Sequence, residues 1–417
     1  MPSPVVLHGD ALHVLTDLPD ASVDAVVTDP PYGLSTIAPS AVVAAITAWA
    51  SGDRAYMPKV GRGFDQMTWD GFVPPPALWD QVYRVLKPGG YALVFASART
   101  ADLMSLALRL AGFEPRDTIA WIFGSGMPKA KGVLKPGYEP VLVMRKPFTG
   151  TAAANERVHG TGRLFPERAR VSFASPADEH EAKDKNRHAD FGSKPRANAI
   201  YGDASTLPQK NWDAPGRWPA NLMLSHSPDC ERAGSTTVKT DTHFPSTRGT
   251  GGISTGGHGG QEGLTERSPG TETVETWRCA PRCPVADLDR QSGAAKPSDD
   301  VGGASRFFHT TAGVDDARLV YCPKARGAER PRWTRPDGEV VQHHTVKPLA
   351  LMRTLLRLAV PEAGVVLDPF AGSGTTAEAA LREGYDVIAV EREADYLPLI
   401  AQRIARATDT EPGAQAA

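Results

Sequence analysis

Short apolar runs alternate with helical patterns at both ends of this chain, and this alternation constrains its fold more than any other feature. Near the N-terminus, VDAVV and YALVFAS are separated by a helical stripe at Leu78, Val82 and Val85. Near the C-terminus, GVVLDPF and YDVIAVE are separated by AGSGTTAEAALREG, a glycine-rich turn that leads into a helix. Buried parallel strands read as continuous apolar runs and are joined by crossover helices. The sequence therefore predicts an α/β fold with a mostly parallel sheet and helices on both faces.

The alternation stops between residues 148 and 341, where short strand-like islands interrupt polar and glycine-rich sequence. We therefore divide the chain into an N-terminal half-domain (1–147), an inserted module of irregular architecture (148–341), a C-terminal half-domain (342–408) and a disordered tail (409–417). Within the module, residues 234–270 are glycine-rich and are predicted to be flexible. Residues 34–72 are predicted to form a lid or an irregular surface loop.

The composition limits the classes of function. The formal net charge is −2, which excludes a uniformly basic nucleic-acid binder. Residues 116–170 nevertheless hold ten Lys/Arg against four Asp/Glu, which predicts a local phosphate-facing strip or else an ordinary solvated face. No apolar window approaches the roughly 18 residues of a membrane span, and the N-terminus lacks a signal-peptide pattern. With four cysteines in 417 residues, these features predict a cytoplasmic protein.

The stretch TDPPYG, residues 28–33, ends the first apolar run and combines groups suited to binding a planar amine. Asp29 supplies a carboxylate and Tyr32 supplies a flat ring, while Pro30 and Pro31 fix the backbone and present carbonyl oxygens. An exocyclic amino group would donate one hydrogen to Asp29 and one to a proline carbonyl, with Tyr32 stacked on its ring. Because ligands bind outside the carboxyl ends of parallel strands, we predict that these four residues form a catalytic site.

A second candidate site is DPFAGSGTT, residues 368–376, which follows a strand and opens a helix. Its glycines allow close approach to free N–H groups at the helix N-terminus, and Glu391 ends the next strand, where it would accept from ribose hydroxyls. This pattern predicts a cradle for a nucleoside cofactor. Gly372, Gly374 and Ala377 also fit the loose dinucleotide pattern of nicotinamide enzymes, which leaves that class open. A P-loop is disfavoured because no lysine follows the glycines.

Taken together, TDPPYG near the start, DPFAGSGTT near the end and HTVKP before the latter closely resemble the motifs of the beta class of S-adenosylmethionine-dependent DNA amino-methyltransferases. In that family the catalytic half precedes the cofactor half, and a target-recognition region lies between them, which is the order in this chain. The resemblance covers about residues 5–147 and 341–405. It implies a Rossmann-like class I methyltransferase fold with a circularly permuted motif order.

The resemblance also implies roles for individual residues. The cofactor motif is matched by Phe370, Gly372 and Gly374, with Asp368, Ser373 and Thr375 beside them. The segment near the methionine end of the cofactor is matched by Thr345, Lys347 and Pro348, and the acid that holds the ribose by Glu391. Asp10 matches an acidic position near the cofactor's adenine, but a helix N-cap is an equal interpretation. His344 is a departure, since the family more often has proline there.

The implied function is transfer of a methyl group from S-adenosylmethionine to the exocyclic N6 of adenine in double-stranded DNA, at a specific sequence and after base flipping. An aspartate rather than a serine before PPY favours adenine N6 over cytosine N4, although both bases present an exocyclic amine. Methylation of RNA or of a protein amide, and a non-catalytic DNA-binding or specificity component, are left open. Besides DNA, the family implies a second copy of the chain and a cognate restriction endonuclease as partners.

A structural zinc ion is a further expectation for the inserted module. His226 and Cys230 are spaced as H-x3-C, and Cys279 and Cys283 are spaced as C-x3-C. Two such pairs can close a tetrahedral zinc site, which would stabilise a region with little apolar content. The alternative interpretation is that these four residues are unrelated.

Overall fold

The computed structural model describes residues 2–61, 68–122, 137–169, 221–223, 231–240, 270–279, 286, 325 and 329–408. Its strands are β1 (Pro4–His8), β2 (Val23–Thr28), β3 (Leu86–Phe95), β4 (Glu114–Ile122), β5 (Tyr138–Arg145), β6 (Leu222–Met223), β7 (Glu231–Thr240), β8 (Gly270–Arg278), β9 (Arg332–Thr334), β10 (Val340–Gln342), β11 (Val365–Asp368) and β12 (Asp386–Glu391). Its α-helices are α1 (Ala11–Val14), α2 (Pro39–Ala50), α3 (Pro76–Val85), α4 (Ala101–Leu110), α5 (Ala152–His159), α6 (Leu349–Ala359), α7 (Thr375–Arg382) and α8 (Leu397–Thr408). Among these helices, none has the length and apolar content needed to cross a bilayer.

Eight of these strands form one sheet in the order β1-β12-β11-β2-β3-β5-β4-β6. Neighbours pair in parallel from β1 through β3 and again between β4 and β6, whereas β5 is antiparallel to both β3 and β4. The prediction of a mostly parallel sheet is therefore confirmed. One consequence is central to the site: the carboxyl ends of β12, β11, β2 and β3 meet at the same edge of the sheet as the amino end of β5.

The central strands are buried on both faces, as their apolar runs predict. All six residues of β2 are buried. Along β3, Leu93 and Phe95 join a core with α6 and α7, whereas Ala92 and Val94 join a second core with α3 and α4. This alternation follows from the two-residue period of a strand. Helices therefore cover both faces of the sheet, and that part of the prediction is also confirmed.

Two N-terminal elements differ from the sequence interpretation. Pro4–His8 is an edge strand that pairs with β12, although the first 33 residues read as a helix followed by a strand. Within the predicted lid or irregular loop, α2 is a regular helix that begins with a proline at its first position and buries Ala45 and Trp49. The interpretation as an irregular loop is therefore wrong for α2, because its two buried side chains fix it to the core beside α3.

Both ends of the predicted inserted module contact the α/β domain. Asn155 on α5 donates to the Pro88 carbonyl at 2.8 Å, and the Phe165 N–H donates to the Leu358 carbonyl at 2.8 Å. At the other end, Trp333 on β9 donates from its indole nitrogen to the Asp395 carbonyl at 2.8 Å. Residues 152–169 and 329–342 therefore pack on the α/β domain, while the division of the chain at 148 and 341 stays a prediction.

Two described pieces of the module are extended. β6 adds to the edge of the central sheet by pairing in parallel with β4, and β7 pairs with β8 as an antiparallel ribbon. The segment 234–270, predicted to be flexible, thus begins and ends in strands, so the prediction does not hold for its ends. The remainder of that segment and the predicted tail (409–417) lie outside the described residues.

A buried ion pair fastens the C-terminal elements to one another. Arg403 on α8 donates to the Glu378 carboxylate on α7 at 2.6 Å, and its side chain is 1% exposed. The same guanidinium donates to the Glu329 carbonyl at 2.6 Å, where the chain returns from the module. One side chain thus fixes the position of that return relative to two helices.

We expect Glu378→Gln to lower the free energy of unfolding by about 3–5 kcal/mol, because it leaves the Arg403 charge buried without a carboxylate. Urea unfolding followed by circular dichroism measures this loss. The matched control is Glu156→Gln, which breaks an exposed ion pair with Arg163 and should leave the transition nearly unchanged. Equal transitions for both variants would contradict this account of Arg403.

Candidate active site

A cavity of about 1240 Å³ opens at the carboxyl edge of the sheet. Its wall is formed from both predicted sites, because β2 ends at Thr28 and β11, its neighbour, ends at Asp368. The two strand ends are joined directly: the Thr28 hydroxyl donates to the Asp368 carboxylate at 2.7 Å. Stretches at opposite ends of the sequence therefore face one space.

The backbone after β2 is fixed by hydrogen bonds from outside the motif. The N–H groups of Tyr32 and Gly33 both donate to one carboxylate oxygen of Asp70, at 2.7 and 3.0 Å. The Thr100 hydroxyl donates to the Tyr32 carbonyl at 2.5 Å. The ring of Tyr32 is thereby held at the cavity wall before any ligand binds.

Four polar side chains form a charged cluster at this wall, which we call the acidic cluster: Asp29, Tyr32, Glu139 and Lys347. The Lys347 ammonium lies 2.6 Å from Oδ2 of Asp29 and 3.4 Å from Oε2 of Glu139. The Tyr32 hydroxyl donates to the same Oε2 of Glu139 at 2.9 Å. The Lys347 nitrogen also lies over the Tyr32 ring, 5.1 Å from its centroid.

The protonation states in the acidic cluster follow from burial and charge. Burial raises the pKa of Asp29, and the Lys347 ammonium partly offsets this rise. Burial and the two carboxylates raise the pKa of Tyr32 well above its usual value, so its hydroxyl remains a donor. Burial alone would lower the pKa of Lys347, but Asp29 and Glu139 raise it above its usual value. Lys347 is therefore an ammonium at neutral pH.

The glycine-rich turn is anchored to the ends of two strands. The Phe370 N–H donates to the Asp368 carboxylate at 3.1 Å, and the Gly372 N–H donates to Oε2 of Glu391 at 2.6 Å. The other oxygen of Glu391 accepts from the Glu393 N–H at 2.8 Å. Helix α7 then begins after Gly374, whose φ of +81° lies in the left-handed region.

Two buried carboxyl groups beside this turn titrate near neutral pH. Burial raises the pKa of Asp368 to about 6, against opposing hydrogen bonds from Thr376, Thr28 and Phe370. Burial likewise raises the pKa of Glu391 to about 7, against opposing N–H donors of Glu393 and Gly372. The acceptor strength of this end of the cavity therefore changes across the physiological range.

His343 packs against two aromatic side chains, and sequence analysis did not single it out. Its ring stacks on Trp69 at 6.4 Å and meets Tyr396 edge-on at 4.8 Å. The Thr345 N–H donates to its Nδ1 at 3.3 Å. Burial, with a smaller effect of Lys347, lowers the pKa of His343 to about 4, so the ring is neutral at physiological pH.

The structure brings the predicted catalytic residues and most of the predicted cofactor-binding residues to one cavity, and Gly374 is not part of its wall. Its wall includes Asp10, Asp29, Pro30, Pro31, Tyr32, Thr345, Lys347, Asp368, Phe370, Gly372, Ser373, Thr375 and Glu391. Asp10 also caps α1, since its carboxylate accepts from the Leu12 N–H at 2.9 Å. Lys347 contacts the catalytic candidate Asp29 directly. Glu139 and Asp70 are contributors that the sequence did not reveal.

The zinc prediction gains no support from the structure. Cys279 lies at the end of β8 and is half-buried, whereas His226, Cys230 and Cys283 lie outside the described residues. Across the part of the chain that is described, no group of three or more His, Cys, Asp or Glu residues is placed to hold a metal ion.

The sheet order, with a glycine-rich turn at its carboxyl edge, is the α/β fold of class I methyltransferases. The family model for DNA methylases of the N6/N4 type matches residues 23–402. Because the match spans most of the chain, the protein belongs to this family of DNA methylases.

Individual relatives match over short stretches. The type II methyltransferase M.BglI of Bacillus subtilis is 41% identical over 87 residues, which is 21% of this chain and 25% of that protein. M2.DpnII of Streptococcus pneumoniae is 35% identical over 69 residues, which is 16% of this chain and 26% of that protein. The chain thus spans about a quarter of the length of these relatives.

Two solved structures are similar across the whole chain but only loosely. The putative DNA modification methylase TTHA0409 of Thermus thermophilus has a TM-score of 0.40 and 17% identity, with coverage of 98% of this chain and 97% of that one. The PvuII DNA methyltransferase, described as cytosine-N4-specific, has a TM-score of 0.42 and 13% identity, with coverage of 98% and 93%. Similarity at this level carries no argument about activity.

We expect Gly372→Ala to lower the free energy of unfolding more than Gly384→Ala does. Both glycines have positive φ, +53° and +82°, so each alanine costs about 1–2 kcal/mol of backbone strain. A Cβ at Gly372 would also lie 2.9 Å from Nε2 of His343, whereas nothing lies within 4 Å at Gly384. Crowding of this kind adds about 1–3 kcal/mol.

Urea unfolding of the two variants measures the difference directly, and Gly384→Ala serves as the control for backbone strain alone. Equal losses would show that His343 does not pack on the turn.

Proposed function

We propose that this protein is a site-specific DNA methyltransferase that transfers a methyl group from S-adenosylmethionine to the exocyclic N6 of adenine. The observation that carries the proposal is that the Asp29–Tyr32 pocket and the turn at Gly372 lie at neighbouring strand ends and line one cavity. Positioning is the main requirement of this reaction, because the methyl group of a sulfonium is already activated. A cavity that holds donor and acceptor side by side meets that requirement.

The chemistry of the turn fits S-adenosylmethionine. Glu391 retains lone pairs for ribose hydroxyls on both oxygens, and Phe370 offers an apolar ring close by. The N-terminus of α7 adds backbone N–H groups and a positive partial charge. Of the side chains matched by resemblance, Thr345 and Asp10 also line the cavity. When bound, this cofactor supplies an electrophilic methyl group, and these residues hold and orient it.

The acceptor pocket acts on the amine of the target base. An exocyclic amine is a weak nucleophile because its lone pair is conjugated with the ring. Asp29 and the Pro30 carbonyl would accept its two hydrogens, which draws the lone pair out of conjugation and aims it across the cavity. Stacking on the Tyr32 ring would contribute about 1–3 kcal/mol. The hydrogen bonds that fix the Tyr32 backbone prepare this geometry in advance.

Access to the pocket requires the target nucleotide to leave the duplex. Flipping costs a few kcal/mol, which contacts in the pocket and to the backbone offset. The basic strip of residues 116–170 and the inserted module are the parts of the chain that we assign to those contacts. Dimerisation, a partner endonuclease and a cytoplasmic location stay predictions of the resemblance and the composition.

Cytosine N4 is the alternative acceptor. Both bases present an exocyclic amine, so the geometry of Asp29 and Tyr32 suits either one. We favour adenine because aspartate rather than serine precedes the two prolines.

Methylation-sensitive sequencing of DNA from cells that express the protein tests the proposal. We expect N6-methyladenine at one recurring sequence in cells with the wild type. In cells with Asp29→Ala we expect at least a ~100-fold loss of methylation rate, because a preorganised polar partner of the amine is removed. N4-methylcytosine at the motif would assign the alternative acceptor, and no modified base would refute the function.

The exposed Asp17, changed to alanine, is the matched control for Asp29→Ala and should methylate at the wild-type rate. Calorimetry with S-adenosylmethionine should show binding by both variants. Loss of cofactor binding in Asp29→Ala would argue against a role confined to the base.

We expect the affinity for S-adenosylmethionine to rise as the pH increases from 6 to 8. Glu391, with a pKa of about 7, must be ionised to accept from the ribose hydroxyls. Below that pKa the affinity should fall by up to about tenfold per pH unit. Asp368, with a pKa of about 6, also titrates in this pH range, and the charge of Glu393 raises the pKa of Glu391. Calorimetry at several pH values measures the trend.

Glu391→Gln should bind S-adenosylmethionine weakly and with little pH dependence, whereas the exposed Glu362→Gln should follow the wild type. If the affinity of Glu391→Gln still rose with pH, a group other than Glu391 would be the cause of the pH dependence.

A further inference from the structure

The acceptor pocket already holds a cation where the target amine must bind. The Lys347 ammonium is 2.6 Å from Asp29 and lies over the ring of Tyr32, the two groups assigned to the base. Lys347 is 7% exposed, so it is not a mobile surface side chain. A base stacked on that face of the Tyr32 ring and bound to Oδ2 of Asp29 would occupy the same space. Lys347 must therefore move when the base enters.

The neighbouring carboxylate limits where the ammonium can go. Transfer of a buried ammonium away from every anion is costly. Among the described residues, Asp29 and Glu139 are the carboxylates within 4 Å of the Lys347 nitrogen. Glu139 lies 3.4 Å away, so a small displacement converts that contact into a full ion pair. The Lys347 nitrogen also lies over the Phe95 ring, 5.0 Å from its centroid.

Glu139 also controls the ring against which the base would stack. Its Oε2 accepts from the Tyr32 hydroxyl at 2.9 Å, and the same Oε2 lies 3.4 Å from the Lys347 nitrogen. Glu139 is placed at this edge because β5 runs antiparallel to β3 and begins here. One carboxylate thus contacts both Tyr32 and Lys347 while Asp29 faces the base.

Building on the proposed function, we propose that Glu139 is a positioning residue for methyl transfer. It takes the Lys347 ammonium from Asp29 when the target amine arrives, and it keeps Tyr32 oriented for stacking. Asp29 is thereby released as an acceptor without leaving a buried cation unpaired. The lysine acts as a placeholder for the base amine in the empty pocket.

The roles of the two charges can be separated by variants. In Glu139→Gln, Lys347 stays paired with Asp29 and competes with the base, so kcat falls at every pH. In Lys347→Met, two carboxylates remain close together in a buried site, so Asp29 is protonated at neutral pH and activity recovers as the pH rises. In the double variant Glu139→Gln/Lys347→Met that repulsion is absent. The double variant should therefore be more active than Lys347→Met alone.

The experiment measures transfer of tritiated methyl groups to DNA from pH 6 to 9. All variants keep two other titratable groups that interact with the acidic cluster, His343 and Asp368, so these groups do not cause differences between variants. We expect at least a tenfold loss of kcat in Glu139→Gln, and an acid limb shifted upward by about one pH unit in Lys347→Met. In the double variant the acid limb of the pH profile should return to its wild-type position. Lys87→Met, which removes a lysine from a distant ion pair with Asp24, should leave the limb unchanged.

A second measurement does not depend on turnover. Nitrogen-15 NMR of lysine side chains, with Lys347 assigned by its absence in Lys347→Met, follows the ammonium in Asp29→Asn and in Asp29→Asn/Glu139→Gln. We expect Lys347 to stay protonated at high pH in the first variant and to lose its proton at lower pH in the second. Identical titrations, or a pH limb that the double variant does not restore, would overturn the role of Glu139. A wild type that methylates no DNA would refute the proposed function, while the titration would still decide this proposal.

Discussion

An ammonium buried between two carboxylates joins the two halves of the candidate active site. Lys347 precedes α6, Asp29 follows β2 and Glu139 begins β5, so the contact connects three distant parts of the sequence. A buried ammonium is tolerated only with close partners, because its desolvation costs several kcal/mol. Lys347 has two such partners, Asp29 at 2.6 Å and Glu139 at 3.4 Å. The cavity wall is therefore held together by a charge balance as well as by packing.

Most of the site was predictable because its residues stand at the ends of recognisable strands. Asp29, Asp368 and Glu391 each follow an apolar run, and parallel neighbours carry such ends to one edge of the sheet. Local sequence was therefore sufficient to place them together. Glu139 could not be found this way, since it stands at the beginning of a strand. Only the antiparallel direction of β5 brings it to the same edge, and nothing in the local sequence specifies that direction.

The errors in the fold have a related cause. β1 is short and lies at the edge of the sheet, with Val5 and Val6 partly exposed, so its apolar run is brief. In α5 the buried residue is polar: it is Asn155, whose amide donates to the carbonyls of Pro88 and Thr161. Hydrogen bonds to distant backbone leave no periodic pattern in the sequence. Periodicity alone therefore does not reveal the polar contacts that join α5 to the α/β domain.

The net charge of the acidic cluster suits the proposed reaction. Asp29 and Glu139 with Lys347 carry one excess negative charge beside the cavity. During methyl transfer, positive charge would leave the sulfur and develop on the amine nitrogen next to Asp29. A fixed negative group favours the state in which the charge has come closer, so Asp29 would stabilise the transition state more than the ground state. Burial raises the pKa of Asp29, which also fits it to accept the proton that the methylated amine must lose. The displacement of Lys347 toward Glu139 would make this proton acceptance possible, since an ammonium at 2.6 Å would oppose it.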